Sequence, residues 1–385
     1  MSKRDILLDV SRLIWRLWRG GLPTGVDRVC LAYLEHFRAR SRAVVQRRGR
    51  HFVFNEEDSD RLFELLARGS VGFRRGFLKF GLTAFASARR TPAEQGLFYL
   101  NVGHTGLDDP ALGPWIAEAR VRAVFLIHDL IPILHPEYCR PGERMKHERR
   151  LENALQSATG LIGNSLATLN DIRTFAADRG LPMPPGTAAW ISGPPVPQNV
   201  TPRQFDRPHF VTVGTIEGRK NHALLLHLWK RLVADGNLEV PKLVIVGQRG
   251  WEVESAIAML DRAHDLKGNV IELGKCPDDE LAAIIAGARA LLMPSFAEGF
   301  GLPVVEALEL GTPVIASDLA VFREFAGNIP TYLDPLDGPG WERAIRDFLG
   351  NSTERELQLR KAVGYRGPDW ATHFTNVEAW IETLV

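Results

Sequence analysis

Between residues 209 and 317 the chain alternates short apolar runs with stretches of helical spacing, and that alternation leaves few architectures open. His209-FVTVGT, Lys242-LVIVG, Asn269-VIELG, Ala290-LLMPS and Pro313-VIAS read as buried strands. The intervening segments 221–236, 254–266, 277–288 and 302–311 carry apolar residues at helical spacing. Acidic residues open the third of these and Gly311 closes the fourth, as suits helix ends. Buried strands separated by single helices pair in parallel through right-handed crossovers, which predicts a doubly wound α/β sheet. In the first half, Ile6-LLDV, Leu97-FYLNVG, Ala123-VFLIHD and Gly160-LIGNS end in polar or glycine-rich loops and predict a second sheet of the same kind.

A chain of 385 residues is longer than one core usually organises. Between Gly186 and Pro208 five prolines (Pro194, Pro195, Pro197, Pro202, Pro208) mark a linker between the two βα arrays. The expected division is an N-terminal Rossmann-like domain over 1–195, a C-terminal one over 196–365, and a helix in 366–385 packing back toward the first. Two such domains would face each other across a cleft, with ligands at the carboxyl ends of both sheets. Three scattered cysteines, Cys30, Cys139 and Cys276, form no CxxC pair. That excludes a disulfide scaffold and a cysteine zinc site and fits a reducing cytoplasm. The start, MSKRDILLDVSRL, is too polar for a secretory signal, and no apolar run approaches the ~20 residues of a membrane span.

A net charge of +1 conceals an asymmetry. Residues 1–200 hold 28 Lys/Arg against 20 Asp/Glu, and residues 1–90 hold 19 against 9. One lobe is therefore expected to meet an anionic surface or substrate. Trp15 and Trp18 stand beside Arg16 and Arg19, and in 71–90 Phe73, Phe77, Phe80 and Phe85 interleave with Arg74, Arg75, Lys79, Arg89 and Arg90. Such interleaving suits an interfacial helix on anionic headgroups, or equally a core helix with its arginines in water. Nucleic acid is disfavoured by the near-neutral total and the lack of a recognition motif.

The densest chemical signal is Pro294-SFAEGFGLPVVEALELGTPVIAS. Glu298 and Glu306 lie eight positions apart, with Gly299, Phe300 and Gly301 leading from a strand end into a helix. Free N–H groups at Gly301 and Leu302 could bind a phosphate or a sugar hydroxyl, and each carboxylate can accept two hydroxyls of a polyol. Arg219 and Lys220, just before another helix, could hold a diphosphate and stabilise it as it leaves. Alone, either pair would ordinarily be a solvated surface feature. No P-loop, HExxH, GxGxxG or DxD-like pair occurs in a fitting context, which argues against a kinase, a zinc hydrolase, a dehydrogenase and a metal-dependent transferase.

This segment resembles the E-x7-E motif of the GT-B glycosyltransferases of family 4, down to EGFGLPxxEA and the following GTPVIAS. Val213-GTIEGRKNHALLL resembles the same family's strand–loop–helix with its Arg/Lys-Asn element. The likeness is close over about 205–330 and looser before it. It implies a retaining, metal-independent enzyme with no cofactor, moving a hexose from a nucleoside diphosphate sugar to a glycan or lipid-linked acceptor, as in capsule, O-antigen or exopolysaccharide assembly. Mannose from GDP-mannose is the preferred donor.

On this resemblance Glu298 binds the transferred sugar, Glu306 the ribose, and Arg219 and Lys220 the diphosphate. Pro23-TGVDRV resembles the family's glycine-rich loop, with Gly25 facing the donor phosphates, though it departs from the GGxG form. Arg28 extends that anion site or pairs with Asp27. His128, at a strand end, corresponds to a histidine that contacts the sugar, and Asp129 orients it or caps the next turn. Lys275 and Cys276 lie where relatives seat the base. His135, Glu137 and Arg140 are open to the acceptor. Gly163-Asn164-Ser165-Leu166-Ala167 is close to a hydrolase nucleophile elbow, but G-x-S-x-G and an oxyanion segment are missing, so Ser165 is read as a helix cap. A serine hydrolase using Ser165 and a non-catalytic nucleotide-sugar binder are the alternatives. The enzyme is expected to be cytoplasmic, peripheral on the inner face of the plasma membrane.

Overall fold

The structure is a computed structural model that describes residues 4–20, 24–197, 199–236, 239–251 and 253–384. It divides into two compact units. The first takes the chain to Ile133, Arg144–Ser192 and everything from Asp369, and the second takes Leu134–Glu143 and Gly193–Pro368.

The first unit is built on a seven-stranded sheet of β1 (Ile6–Asp9), β2 (Ser41–Arg47), β3 (Arg50–Val53), β4 (Phe98–Asn101), β5 (Arg122–Ile127), β6 (Gly160–Gly163) and β7 (Gly186–Ala188), in the order β3-β2-β1-β4-β5-β6-β7. Every pairing is parallel except β2 with β3. That hairpin turns at Arg48-Gly49, whose φ angles of 49° and 72° provide the left-handed pair such a turn needs. The second unit holds β8 (His209–Val213), β9 (Lys242–Val246), β10 (Val270–Leu273), β11 (Leu291–Met293), β12 (Val314–Ser317) and β13 (Thr331–Leu333), all parallel, in the order β10-β9-β8-β11-β12-β13. The inner strands β9, β11 and β12 are buried along their whole length and β8 over all but Val213, as strands covered by helices on both faces must be. In each unit the order reverses beside the first strand, between β1 and β4 and between β8 and β11, and the loops after those strands are where open α/β sheets bind ligands.

The cores are separate. In the second unit Trp229 and Trp341 are fully buried among Phe210, Leu225, Ile245 and Ile315. Truncating either tryptophan would cost about 3–5 kcal/mol. In the first, Tyr99, Trp115, Phe125 and Leu161 lie in one cluster.

One segment differs from the sequence reading. Residues 134–143 group with the second unit, where Tyr138 stacks on Phe296 at 5.2 Å and Arg140 lies 4.7 Å from the Trp251 ring centroid. The last helix, Trp370–Glu382, belongs to the first unit. There His36 stacks on Phe374 at 3.9 Å, the Tyr33 hydroxyl meets His373 Nε2 at 2.9 Å, and Nδ1 of the same ring lies 2.9 Å from the Trp190 carbonyl. A Cβ on Gly160 would fall 2.6 Å from Trp380. Gly160→Val should therefore cost about 1–3 kcal/mol by forcing the terminal helix off β6. A urea midpoint equal to that of the parent protein would show that this packing is loose.

Candidate active site

In the second unit the loops after β8 and β11 meet. β8 ends at Val213, and a short 3-10 turn, Gly218–Lys220, leads through Asn221 (φ 55°) into the helix His222–Asp235. After β11 the chain runs through Ser295 and Glu298 to Gly301 and the helix Leu302–Glu309. Gly301 has φ 103°, and a Cβ there would sit 2.3 Å from Phe322, so both backbone and space require glycine. The Phe296 amide donates to the Arg219 carbonyl at 2.8 Å and joins the loops.

Glu298 is the centre of the junction. Its Oε1 accepts from Lys220 Nζ at 2.5 Å and Ser295 Oγ at 2.6 Å, and its Oε2 from Arg219 Nη1 at 2.8 Å. Arg219 also reaches the Ala297 carbonyl at 3.0 Å and Glu217 Oε1 at 2.6 Å. Glu217 and Lys220 are buried too. Burial by itself would raise the Glu298 pKa, but the charges of Lys220 and Arg219 reverse that and hold it at about 2. Burial pushes Glu217 up and Lys220 down from their ordinary values. Gly214, at φ 140°, makes room for the lysine: a Cβ there would lie 3.0 Å from Lys220 Cε.

Glu306 is half-buried on the helix Leu302–Glu309, with Oε1 3.2 Å from the position a Cβ would take on Gly193. The Phe300 ring is buried and stacks on Phe325 at 5.0 Å, so its side chain props the loop and only its backbone can meet a ligand. Gly299 is half-buried beside it and Leu302 opens the helix. Lys275 is exposed and Cys276 half-buried in the loop after β10, where burial pushes the thiol up to about 11 and leaves it unreactive.

The first unit carries its own set. His128 follows β5 and is buried, with Nε2 donating to the Val102 carbonyl at 2.8 Å and its ring 4.9 Å from that of His104. Burial holds it at about 4, so it is neutral at pH 7, and the bond at Nε2 leaves Nδ1 as an acceptor. Asp129 accepts from the Ile131 amide at 3.1 Å and so caps the next turn. Gly25 is exposed at the start of the helix Gly25–Phe37, behind a capping box of Thr24 and Asp27. The buried Asp27 pairs with Arg12 at 2.7 Å and Arg16 at 3.2 Å. Gly21, Leu22 and Pro23 of the glycine-rich loop lie outside the described residues. His135 groups with the second unit, 3.6 Å from Glu137. Ser165 is buried as the N-cap of Leu166–Arg179, accepting from the Thr168 amide at 3.0 Å and donating to the Thr168 hydroxyl at 3.0 Å, which leaves no activated nucleophile.

Sequence reasoning missed Ser295, Glu217 and His222. The two ring nitrogens of His222 are buried without a hydrogen-bond partner, at the start of the helix that follows Lys220. Among the described residues, no group of three or more His, Cys, Asp or Glu side chains could hold a metal ion.

Residues 198–368 match the family described as glycosyl transferases group 1. The chain carries a group 1 glycosyl transferase domain. Among proteins similar to it, the serotype-specific mannosyltransferase WbdA of Escherichia coli is 30% identical over 243 residues, 59% of this chain and 30% of that protein. O-antigen chain mannosyltransferase B of Escherichia coli is 30% identical over 250 residues, 63% of this chain and 65% of that protein. The chain thus spans under a third of the first relative's length. Sucrose-phosphate synthase from Thermosynechococcus elongatus superposes with a TM-score of 0.64 over 98% of both chains at 13% identity. That likeness concerns the fold, which is GT-B, two Rossmann-like α/β domains. The group 1 domain contains Arg219, Lys220, Glu298 and Glu306 together.

The buried groups set a pH dependence. His51, His128, His222 and His373 are all held at about 4, against an ordinary 6.5, chiefly by burial. Between those values the unfolded chain binds protons that the folded chain refuses, so stability must rise with pH from 4 to 6.5. Glu298 acts in a lower window: its contribution, present above its ordinary 4.5, is lost as pH falls toward 2. Urea midpoints should climb from pH 4 to 6.5 and then flatten, and a midpoint that is level over this range would contradict the neutral, buried state of these rings.

Proposed function

We propose that this chain is a retaining, metal-independent glycosyltransferase that moves a hexose from a nucleoside diphosphate sugar to a glycan or lipid-linked acceptor in cell-surface polysaccharide assembly. Mannose from GDP-mannose is the preferred donor, in keeping with relatives named as mannosyltransferases. The observation that carries the reading is the Lys220–Glu298–Arg219 cluster at the mouth of β8 and β11.

Glu298 and Glu217 together face the two cations Arg219 and Lys220. A diphosphate brings more negative charge than Glu298 and would take Arg219 and Lys220 from it, while Glu217 stays on Arg219. Glu298, ionised at neutral pH and freed from those bonds, would accept hydroxyls of the transferred sugar. As the glycosidic bond breaks, charge accumulates on the leaving diphosphate, where the two cations are already fixed and need no reorganisation. Glu306 would accept the ribose hydroxyls, and Gly299, Gly301 and Leu302 would offer backbone N–H groups. Lys275 and Cys276 would flank the base. From the first unit, Gly25 would face the phosphates, and His128, able only to accept at Nδ1, would take a hydroxyl of the sugar. Asp129 and His135 would meet the acceptor. The enzyme would work in the cytoplasm, peripheral on the inner face of the plasma membrane.

Thermal unfolding with GDP, UDP, ADP or dTDP in EDTA tests the donor site. A nucleotide at 100 times its Kd adds about 2.7 kcal/mol. One nucleotide should shift the midpoint in the parent protein and not in Lys220→Ala, and no shift with any of them would remove the donor site. With GDP-mannose and a lipid-linked acceptor, Glu298→Gln and Lys220→Ala should each lower turnover on the order of 10²-fold. Near-normal rates in both would refute the assigned roles, and nucleotide binding without any turnover would favour a non-catalytic sensor.

A further inference from the structure

Of the two arrangements its sequence leaves open, the helix Phe73–Ser87 takes the core-packing one. The phenylalanines turn inward. Phe73, Phe77 and Phe80 stack in a row, Phe80 and Phe85 pack on Phe54, Phe85 meets Phe52 at 5.0 Å, and Phe77 meets Trp18 at 6.2 Å. Gly76 lets the helix Glu56–Ala67 close on that inner side, since a Cβ there would lie 2.6 Å from Leu65. What remains outside is not polar. Leu78 is 59% and Leu82 83% exposed, and Val71, just before the helix, is 90% exposed.

These side chains share one arc. At about 100° per residue, Leu78, Leu82, Ala86, Arg74, Arg75 and Lys79 fall within a span of about 140° facing away from Phe73, Phe77 and Phe80, while Phe85 lies near one edge of the span and bends inward to Phe52 and Phe54. Leu78, Leu82 and Arg75 occupy its middle in that order, and Arg74 and Lys79 stand at its edges. All six residues are exposed. Arg74 Nε donates to the Trp18 carbonyl at 2.6 Å, which fixes the end of the helix Ser11–Arg19 beside this arc and brings the exposed Arg19 to it. From residue 65 to residue 93 the chain has six Lys/Arg and no Asp or Glu.

We propose that the first unit docks through this two-helix face on a membrane surface bearing anionic headgroups. Arg19, Arg75 and Lys79 meet lipid phosphates, and Val71, Leu78 and Leu82 enter the headgroup–acyl boundary. The charge identifies the partner: cations without acidic neighbours around exposed leucines match a layer that is anionic outside and apolar beneath. The docking does not depend on the transferase reading, although a lipid-linked acceptor would give it a purpose.

The full chain is to be sedimented with vesicles of pure phosphatidylcholine and with vesicles that also contain phosphatidylglycerol, at low and high salt. Binding should require the anionic lipid and weaken with salt. Leu78→Ser/Leu82→Ser and Arg75→Glu/Lys79→Glu should each lower the partition coefficient on the order of tenfold or more. Both pairs are solvent-facing, so far-UV circular dichroism and thermal midpoints should match the parent protein. The leucine pair should keep its salt dependence and the charge pair should lose it. Absence of binding, equal binding to phosphatidylcholine, or parent-like binding by both variants would overturn the proposal. A nucleotide-induced shift without vesicle binding would remove only the docking, and vesicle binding without that shift would remove only the donor site.

Discussion

One buried carboxylate ties together two loops that lie 78 and 79 residues apart in the chain. The charges of Lys220 and Arg219 hold Glu298 ionised against its burial, and Glu298 in turn favours the charged form of Lys220. Desolvation makes such a pair costly to form and costlier to break on one side, because removing a partner strands the other as a buried charge. Such a cluster is a weak source of stability. On the proposed reading, a more highly charged anion would displace the carboxylate and take both cations in place. Gly214 and Gly301 belong to the same device, one clearing the path of the lysine and the other turning the chain into its helix.

The first unit uses the same logic. Asp27 sits behind Gly25 as a buried anion for Arg12 and Arg16, and hydrogen bonds from Thr24 and the Arg12 charge hold its pKa down although burial pushes it up. His128 is kept neutral beside His104, with its single donor committed to a backbone carbonyl. In both units a buried partner fixes a group at the strand ends: Asp27 for Arg12 and Arg16, the Val102 carbonyl for His128, and Glu217 for Arg219.

Much of this was legible beforehand, and the parts that were not share a cause. The strands after residue 209 stand out because they are covered on both faces and carry unbroken apolar runs. Ser41–Arg47 escaped because Arg42, Gln46 and Arg47 surround its apolar centre, and its partner Arg50–Val53 is a short antiparallel edge. Glu298, Arg219, Lys220 and Glu306 were visible as types at fixed spacing, but the contact of the first with the next two is tertiary. Ser295 and Glu217, which complete the cluster, carry no pattern of their own. Phe300 looked like a ligand contact because it lies inside the motif, yet its ring belongs to the core. For residues 73–87 periodicity separates two faces of the helix, and only the aromatic cluster around Phe54 decides which one is inside.

The terminal helix adds a constraint on the order of events in the cell. Trp370–Glu382 supplies Phe374, His373 and Trp380 to the first unit, so that unit lacks part of its core until this helix has left the ribosome. The second unit, contiguous from Gly193 to Pro368 but for one short segment, can condense while its predecessor waits. Synthesis from the N-terminus would then complete the two units in reverse order, the one translated second closing first. A ribosome that stalls before residue 370 would leave the basic, aromatic half of the protein open.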